Sequence, residues 1–197
     1  MKKNAKKEQN AEEWTEDGAK VPTRFDWKKE LMEWIIIIEI AVVFAVVLNL
    51  FVIVNAQVPT ASMETTIMTG DRVFGSRLAY ISKEPQRGDI VMFKFPDNEK
   101  KLFIKRIIGM PNETLEMKDG KIYINGSETP LDEPYLNVVP EGDYGPIEIP
   151  DHAYFMMGDN RNNSADSRYW VNTFVYRNKI AGKAVLKYYP KVERLDK

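Results

Sequence analysis

The sequence predicts a mostly β protein, with a single N-terminal transmembrane helix followed by one compact β domain. Three observations predict this architecture. An apolar run near the N-terminus is long enough to cross a bilayer. Beyond it, short β-like runs alternate with glycine and proline, and no long stretch has helical period. The length of 197 residues leaves room for one domain besides the helix and a tail.

The transmembrane helix is predicted over residues 34–54, WIIIIEIAVVFAVVLNLFVIV. A helix needs about 20 apolar residues, rising about 1.5 Å each, to cross a hydrocarbon core of about 30 Å. Glu39 and Asn49 interrupt the run, and Glu39 lies near one end, from which its carboxylate can reach the interface. Simple tolerance of Glu39 is therefore favoured over a contact with a second helix or a substrate.

The charges on either side of this helix predict its orientation. The first cation after the helix is Arg72, whereas several precede it, namely Lys20, Arg24, Lys28 and Lys29. The positive-inside rule then predicts a single-pass protein of the cell membrane with a cytoplasmic N-terminus. Residues 1–33, which have little apolar content, are expected to be a disordered cytoplasmic tail, and residues 55–197 an extracytoplasmic β-rich domain. The alternative is a secretory signal that is cleaved at Val54-Asn55-Ala56. The apolar run, however, exceeds the length of about 7–15 residues that is usual for the apolar region of a signal peptide.

Composition excludes several classes of function. The net charge of -1 and the pI near 6.0, with basic and acidic residues interleaved, give no basic footprint, so we expect no nucleic-acid partner. The absence of cysteine excludes thiol catalysis and cysteine-ligated zinc. His152 is the only histidine, which excludes metal sites built on paired histidines. We expect no cofactor and no metal, and any catalysis must use oxygen or amine chemistry.

Several elements of the β domain can be predicted individually. Residues 72–75 and 89–96 are strand candidates, the second stopped by proline. Residues 114–118 and 121–125 alternate around Asp119-Gly120, the dipeptide that a type I′ hairpin turn prefers.

Three further features are predicted in the C-terminal part of the domain: a surface excursion, a helix and a strand. Between Pro130 and Pro150 prolines and glycines dominate, so we expect an ordered surface excursion without a packed element. A helix is predicted near residues 169–178, and a closing strand over residues 183–189.

Lys105 is a candidate catalytic base. In an extended chain it lies on the same side as Phe103 and Ile107, where its ammonium group would be removed from water. A fully buried lysine can lose several pKa units from about 10.4, and a neutral lysine at pH 7 is a base. The alternative is that the side chain snorkels, burying its stem and keeping its charge in water.

Ser62 is a candidate nucleophile. It follows the predicted helix in the sequence Pro59-Thr60-Ala61-Ser62-Met63, and by itself it would be read as a local hydrogen-bonding device or a helix cap. A hydroxyl nucleophile needs a neighbouring base, however, and a desolvated lysine can serve. We expect the one imidazole, His152, to be a surface residue in the turn at residues 150–152.

A third polar segment, residues 155–168, runs from an apolar strand into a loop. It could be an asparagine-rich turn, or a calcium loop built on Asp159, Asn160, Asn163 and Asp166. The EF-hand spacing and its distal glutamate are missing. A functional interpretation makes Asp166 and Arg168 a structural ion pair and leaves Ser164 to hydrogen-bond the base.

Together these segments resemble type I signal peptidases, membrane-anchored serine proteases that remove signal peptides from exported proteins. The resemblance rests on the segments 59–67, 70–73, 87–91, 105–109 and 158–168, which follow the order of the family's motifs. It covers the anchor and nearly all of residues 55–190, and the short excursion favours the compact Gram-positive style. One departure is Val171-Asn172, where the family often has glycine after the tryptophan.

The resemblance implies a role for each matched residue. Ser62 would be the nucleophile and Lys105 its general base. Thr60 would contribute its hydroxyl to an oxyanion hole completed by the Ser62 backbone N–H. Ser164 would orient the lysine, with Asp166 and Arg168 as structural support.

The same resemblance implies the substrate and partners. An extended signal peptide would add to an open strand edge and place small side chains, in an Ala-x-Ala pattern, in shallow apolar pockets. By family position the pockets would be lined by Val58, Met63, Ile67, Phe103 and Ile104. The lipid bilayer and the neighbourhood of the secretion translocon complete the expected partners. Two alternatives stay open: a serine–lysine self-cleaving protease of the repressor type, which needs no membrane helix, and a membrane-tethered, non-catalytic β domain that binds peptides or assists secretion.

Overall fold

The computed structural model describes residues 26–195. An α-helix, α1 (Trp27–Val47), comes first and continues as a π-helical turn at Leu48–Val52. Together Trp27–Val52 are long and apolar enough to cross a membrane. The helix begins earlier than residue 34 because the Asp26 carboxylate accepts hydrogen bonds from the backbone N–H groups of Lys28 and Lys29, at 3.1 and 3.3 Å.

The two ends of the predicted span need correction. The predicted tail lies mostly outside the described residues, but its last residues belong to α1. At the other end Ile53 and Val54, predicted as helical, begin the first strand and pair with Ser76 and Gly75. The pairing supplies the backbone partners that a continued helix would have supplied.

Past the helix the described chain forms strands joined by turns and short 3₁₀ helices. In chain order the strands are β1 (Ile53–Gln57), β2 (Arg72–Ser76), β3 (Ile90–Phe95), β4 (Asn98–Gly109), β5 (Thr114–Lys118), β6 (Lys121–Ile124), β7 (Tyr144–Glu148), β8 (Ala153–Met157), β9 (Val175–Tyr176), β10 (Ile180–Tyr189) and β11 (Glu193–Arg194). A large sheet has the order β1-β2-β10-β3-β4-β8-β9, with β11 paired to β10, and a small sheet has the order β6-β5-β7. All pairs are antiparallel. The mostly β prediction is confirmed.

The small sheet confirms one prediction and corrects another. Strands β5 and β6 form the predicted hairpin, and Asp119 and Gly120 at its turn have φ values of 48° and 75°, as a type I′ turn requires. The excursion between residues 130 and 150 was expected to lack a packed element, but β7 lies within it and pairs with β5. Pro146 is tolerated there because β7 is an edge strand.

The helix predicted near residues 169–178 is wrong. The start of the segment forms a single turn, in which the Asp166 carbonyl accepts the N–H groups of Tyr169 and Trp170, and its last residues enter a short 3₁₀ helix, Arg177–Lys179. The Asp97 carboxylate then accepts the N–H groups of Val171 and Asn172, at 3.0 and 2.7 Å, and holds the chain in a loop. The later residues of the segment form β9, so the polar anchor overrides the helical pattern. The closing strand is confirmed, although β10 starts before residue 183.

The core of the β domain consists of three apolar clusters, and β4 passes beside them. The cluster that includes Met63 and Ile67 lies against one part of the sheet, and the cluster that includes Val91 and Phe93 lies against another. Val91 is the cross-strand partner of Lys105. Lys105 therefore lies on a strand whose neighbours are apolar, as the alternation predicts.

Candidate active site

Ser62, the candidate nucleophile, lies in a 3₁₀ turn, Ala61–Met63, which we call the nucleophile turn. The loop over residues 158–168, which we call the polar loop, holds this turn in place. The backbone N–H of Asn160 donates to the Ser62 carbonyl at 3.1 Å, and the Asn160 side-chain amide donates to the Ala61 carbonyl, also at 3.1 Å. Both bonds lock the backbone on either side of the Ser62 hydroxyl. Ser62 itself is buried. The turn therefore presents its hydroxyl in a fixed position.

Lys105, on β4, donates a hydrogen bond from Nζ to Ser62 Oγ. The residue is only 3% exposed. Burial lowers the pKa of Lys105 to about 8, an effect that the carboxylates of Asp166 and Asp159 oppose and the guanidinium of Arg168 reinforces. At pH 7 about one tenth of the molecules would then carry a neutral amine at this position. The pair can act as a nucleophile and its base.

Thr60 lies two residues before Ser62 in an extended conformation. Its hydroxyl is 3.3 Å from Ser62 Oγ, and either oxygen could donate. A hydroxyl at this distance from a nucleophile can hydrogen-bond an oxyanion that forms beside it.

Ser164 lies next to the pair but does not make the predicted hydrogen bond to Lys105. Its hydroxyl is buried and has no hydrogen-bond partner within residues 26–195. Glycine at position 158 allows the polar loop to pack closely against the nucleophile turn, because a Cβ at that position would overlap the Ser62 carbonyl and the Ser164 hydroxyl. A larger residue at 158 would push the loop away from the nucleophile.

Asp166 and Arg168 form the predicted ion pair, in a bidentate geometry with both N···O distances at 2.9 Å. The pair is buried, and each partner also holds the loop: Asp166 accepts the Gly158 N–H at 3.1 Å, and Arg168 donates to the Arg161 carbonyl at 2.7 Å. The ion pair therefore joins both ends of the loop that carries Ser164.

An apolar cavity of about 310 Å³ adjoins Ser62 and Lys105. Among the residues predicted to form substrate pockets, it is lined by Val58, Met63, Phe103 and Ile104. The prediction for Ile67 is wrong: this side chain does not line the cavity, because it is fully buried in the apolar cluster that contains Val58 and Met63. Ile67 belongs to the cluster behind Val58 and Met63, which themselves line the cavity.

Several lining residues escaped the sequence analysis, namely Ala56, Gln57, Leu102, Asn163 and Ala165. A small side chain directly after a candidate site residue, as Ala165 is after Ser164, was a signal that could have identified this alanine. His152 is not among the lining residues. Its side chain is exposed and lies 3.1 Å from Asp151 in a turn, as predicted.

A charged network behind the site was also missed. Arg106 donates to both oxygens of Asp159, at 2.8 and 2.6 Å, and its guanidinium lies 3.8 Å from the centre of the Tyr135 ring. Arg161 pairs with Glu133, and both side chains are almost fully buried. Protein donors thus occupy Asp159, which was considered as a calcium ligand. The excursion between residues 130 and 150 contains Tyr135, and the network attaches this excursion to the site.

The fold and the site define a class of protein: a β domain that follows an apolar helix and presents a hydroxyl, a buried amine and an adjoining apolar cavity, as a hydrolase of extended peptides requires. Residues 31–189 match the family described as "Signal peptidase, peptidase S26".

Relatives at moderate identity agree with this match. The chain is 40% identical over 155 residues to "Probable signal peptidase I-2" of Synechocystis sp. (strain ATCC 27184 / PCC 6803 / Kazusa), covering 76% of this chain and 69% of that protein. It is 38% identical over 172 residues to "Signal peptidase I" of Leptolyngbya laminosa, covering 84% and 82%. It is 39% identical over 174 residues to "Signal peptidase I S" of Bacillus subtilis (strain 168), covering 83% and 91%. The chain therefore belongs to the signal peptidase family, peptidase S26, and is a signal peptidase I enzyme.

Proposed function

We propose that this enzyme cleaves signal peptides from exported preproteins with Ser62 as nucleophile and Lys105 as general base. The observation that carries the proposal is the hydrogen bond between Lys105 Nζ and Ser62 Oγ, made by an amine that burial makes less basic. Family membership supports the substrate, because the relatives are named for it.

The reaction follows from the lone pair of a neutral Lys105. As Ser62 Oγ attacks the carbonyl carbon of the scissile bond, Lys105 Nζ takes the hydroxyl proton, and it then gives this proton to the departing amine. The signal peptide stays on Ser62 as an ester. Lys105 next takes a proton from water, the resulting hydroxide attacks the ester, and Ser62 recovers its proton from Lys105.

The oxyanion formed in both steps needs fixed donors. The Thr60 hydroxyl and the Ser62 backbone N–H lie on the same short segment, which the two Asn160 hydrogen bonds hold. Loss of one such donor typically lowers the rate by about 10²–10³.

Ser164 is proposed to receive Lys105 during the cycle. A buried hydroxyl without a partner typically costs about 1–3 kcal/mol, which a hydrogen bond to the amine would recover. Since Nζ bonds Ser62 in the free enzyme, we expect the bond to Ser164 when the ester occupies Ser62 Oγ.

The cavity supports a preference for small side chains before the scissile bond. Its lining combines the end of β1, an edge strand, with the half-buried part of β4 around Phe103 and Ile104. An extended peptide can pair with the open edge and place every second side chain in the cavity. We therefore propose cleavage after an Ala-x-Ala pattern, with α1 anchoring the enzyme so that its β domain faces outward near the secretion translocon.

The test uses full-length enzyme in detergent and a preprotein whose signal ends in Ala-x-Ala. Ser62→Ala and Lys105→Ala are each expected to abolish processing, whereas His152→Ala should cleave at the wild-type rate. Processing by either of the first two variants at wild-type rate would remove the proposed mechanism. A preprotein with tryptophan in place of the last alanine should not be cleaved.

A further inference from the structure

We propose that residues 137–141 bind the substrate segment that follows the scissile bond, and that Val138 and Val139 contact its apolar side chains. This inference rests on the proposed function. We call residues 137–141 the exit segment. It would select among preproteins by the first residues of the exported protein, in addition to the signal peptide.

The exit segment is attached to the nucleophile turn and to the polar loop. Asn137 donates from its side-chain amide to the hydroxyl of Thr65, three residues beyond Ser62 in the chain. Asn162 donates to the Val139 carbonyl at 3.1 Å and accepts the Glu141 N–H at 3.0 Å. The residue after Asn162 lines the cavity. Both attachments therefore join the exit segment to chain segments that neighbour the site in sequence.

The exit segment lies outside the cavity proposed for the signal peptide. On the nucleophile segment the cavity is lined by residues up to Met63, whereas the contact with Asn137 is made by Thr65. A preprotein continues past the scissile bond, so the chain that enters from the cavity must leave Ser62 on another side. The Thr65 side of the nucleophile turn is where the exit segment begins.

The surface of the exit segment is apolar and has free backbone groups. Val138 and Val139 are 63% and 80% exposed. Neither backbone polar group of Val138 forms a hydrogen bond within the described part of the chain. A peptide passing here could cover two valines and pair with the backbone of Val138, which combines hydrophobic burial with strand-like hydrogen bonds.

Further contacts hold the chain just before the exit segment. Tyr135 packs on Arg106, and Glu133 pairs with the buried guanidinium of Arg161. These contacts limit the conformational entropy that the excursion would lose on binding. Because the segment after the scissile bond departs when the ester forms, the subsite can act only on that first step.

The experiment compares two substrates with the same signal-peptide part. One is a peptide with leucine at the first and third positions after the scissile bond, and the other is a methyl ester that ends at the scissile bond. Full-length wild-type enzyme, the double variant Val138→Ser/Val139→Ser and the matched control Val192→Ser, an exposed valine elsewhere, are assayed in detergent. The double variant is expected to lose about three- to tenfold in kcat/KM on the peptide relative to the ester. Val192→Ser should not change this ratio.

The outcomes separate the inference from the function on which it rests. An unchanged ratio in the double variant, or an equal loss on both substrates, would overturn the exit segment as a subsite. A loss that occurs in lipid vesicles but not in detergent would also overturn it, since the valines would then contact lipid. If wild-type enzyme cleaves neither substrate, or Ser62→Ala cleaves both, the proposed function itself fails.

Discussion

Lys105 lies on a strand with apolar neighbours, and its removal from water disfavours the ammonium form. The carboxylates of Asp159 and Asp166 act in the opposite direction and keep its pKa from falling further. The balance suits catalysis near neutral pH, because a base is most effective when its pKa lies near the working pH.

The first prediction concerns the pH dependence of cleavage. Because Lys105 must be neutral to accept the proton and its pKa is about 8, kcat/KM should rise about tenfold per pH unit below pH 8 and level off above it. Initial rates on a fixed peptide between pH 5 and 10 measure this. A rate that is independent of pH between 6 and 9 would contradict a lysine base with this pKa.

The second prediction concerns stability and runs opposite to activity. The folded-state pKa of about 8 lies below the usual lysine value of 10.5, so the burial cost is fully present below pH 8 and disappears as the pH rises past about 10.5. The difference corresponds to about 3 kcal/mol, part of which the hydrogen bond to Ser62 offsets. Lys105→Met should therefore raise the free energy of unfolding by about 1–3 kcal/mol at pH 7 and by less at pH 10, while abolishing cleavage.

Denaturant unfolding followed by circular dichroism at both pH values measures this difference. Lys191→Met, at an exposed lysine, is the matched control and should leave stability unchanged at either pH. A destabilised Lys105→Met at pH 7 would show that the amine contributes more through its contacts than its burial costs.

At the scale of single residues, the sequence predicts what depends on neighbouring positions, but not what depends on residues that are distant in the chain. Alternation along β4 placed Lys105 on the same side as Phe103 and Ile107 and so indicated its burial, with a snorkelling side chain as the alternative. The effects of Asp159 and Asp166 on its pKa come from another part of the chain, which no local pattern reveals. The prediction for Ile67 failed for a related reason: the sequence shows that this residue is apolar, but not whether it lines the cavity or packs behind the residues that do.

The loop over residues 158–168 is the element on which the site depends. It holds the nucleophile turn through Asn160 and carries Ser164, and the buried pair of Asp166 and Arg168 joins its ends. Breaking a buried pair by removing one charge leaves the other uncompensated, which typically costs about 3–5 kcal/mol.

The third prediction is that Asp166→Asn destabilises the β domain by about 3–5 kcal/mol and lowers kcat more than it raises KM. The reason is that Arg168 loses its charge partner while the cavity that binds substrate stays largely in place. Asp151→Asn, at an exposed aspartate, is the control and should change neither quantity. An Asp166→Asn variant with wild-type stability would show that the pair contributes no net energy.

Elements set by local signals were predicted, and elements set by distant partners were not. The hairpin of β5 and β6 depends on two residues at its turn, so the dipeptide Asp119-Gly120 was sufficient. Strand β7 depends on pairing with β5, which outweighs its proline. The loop after Trp170 depends on the Asp97 carboxylate, far away in the sequence, and this is why a helix was predicted there instead.

At the scale of the whole molecule, the candidate active site brings together three segments that are distant in sequence: the nucleophile turn, β4 and the polar loop. The order of motifs along the chain identified all three segments, because the resemblance extends over nearly the whole domain. The structure adds the excursion that contains Tyr135, whose proline-rich sequence gave no indication that it packs against Arg106.

The orientation of the enzyme in the membrane is the last prediction. Cations lie before α1 and in its first turn, and the next one follows only at Arg72, so insertion with the N-terminus inside keeps positive charge in the cytoplasm. The chain has no cysteine, which makes single-cysteine labelling unambiguous. In intact cells a membrane-impermeant maleimide should label Val192→Cys, and should label Asn10→Cys only after the membrane is permeabilised. Labelling of Asn10→Cys alone in intact cells would place the β domain in the cytoplasm, where exported proteins have not yet crossed the membrane, and would contradict the proposed site of action.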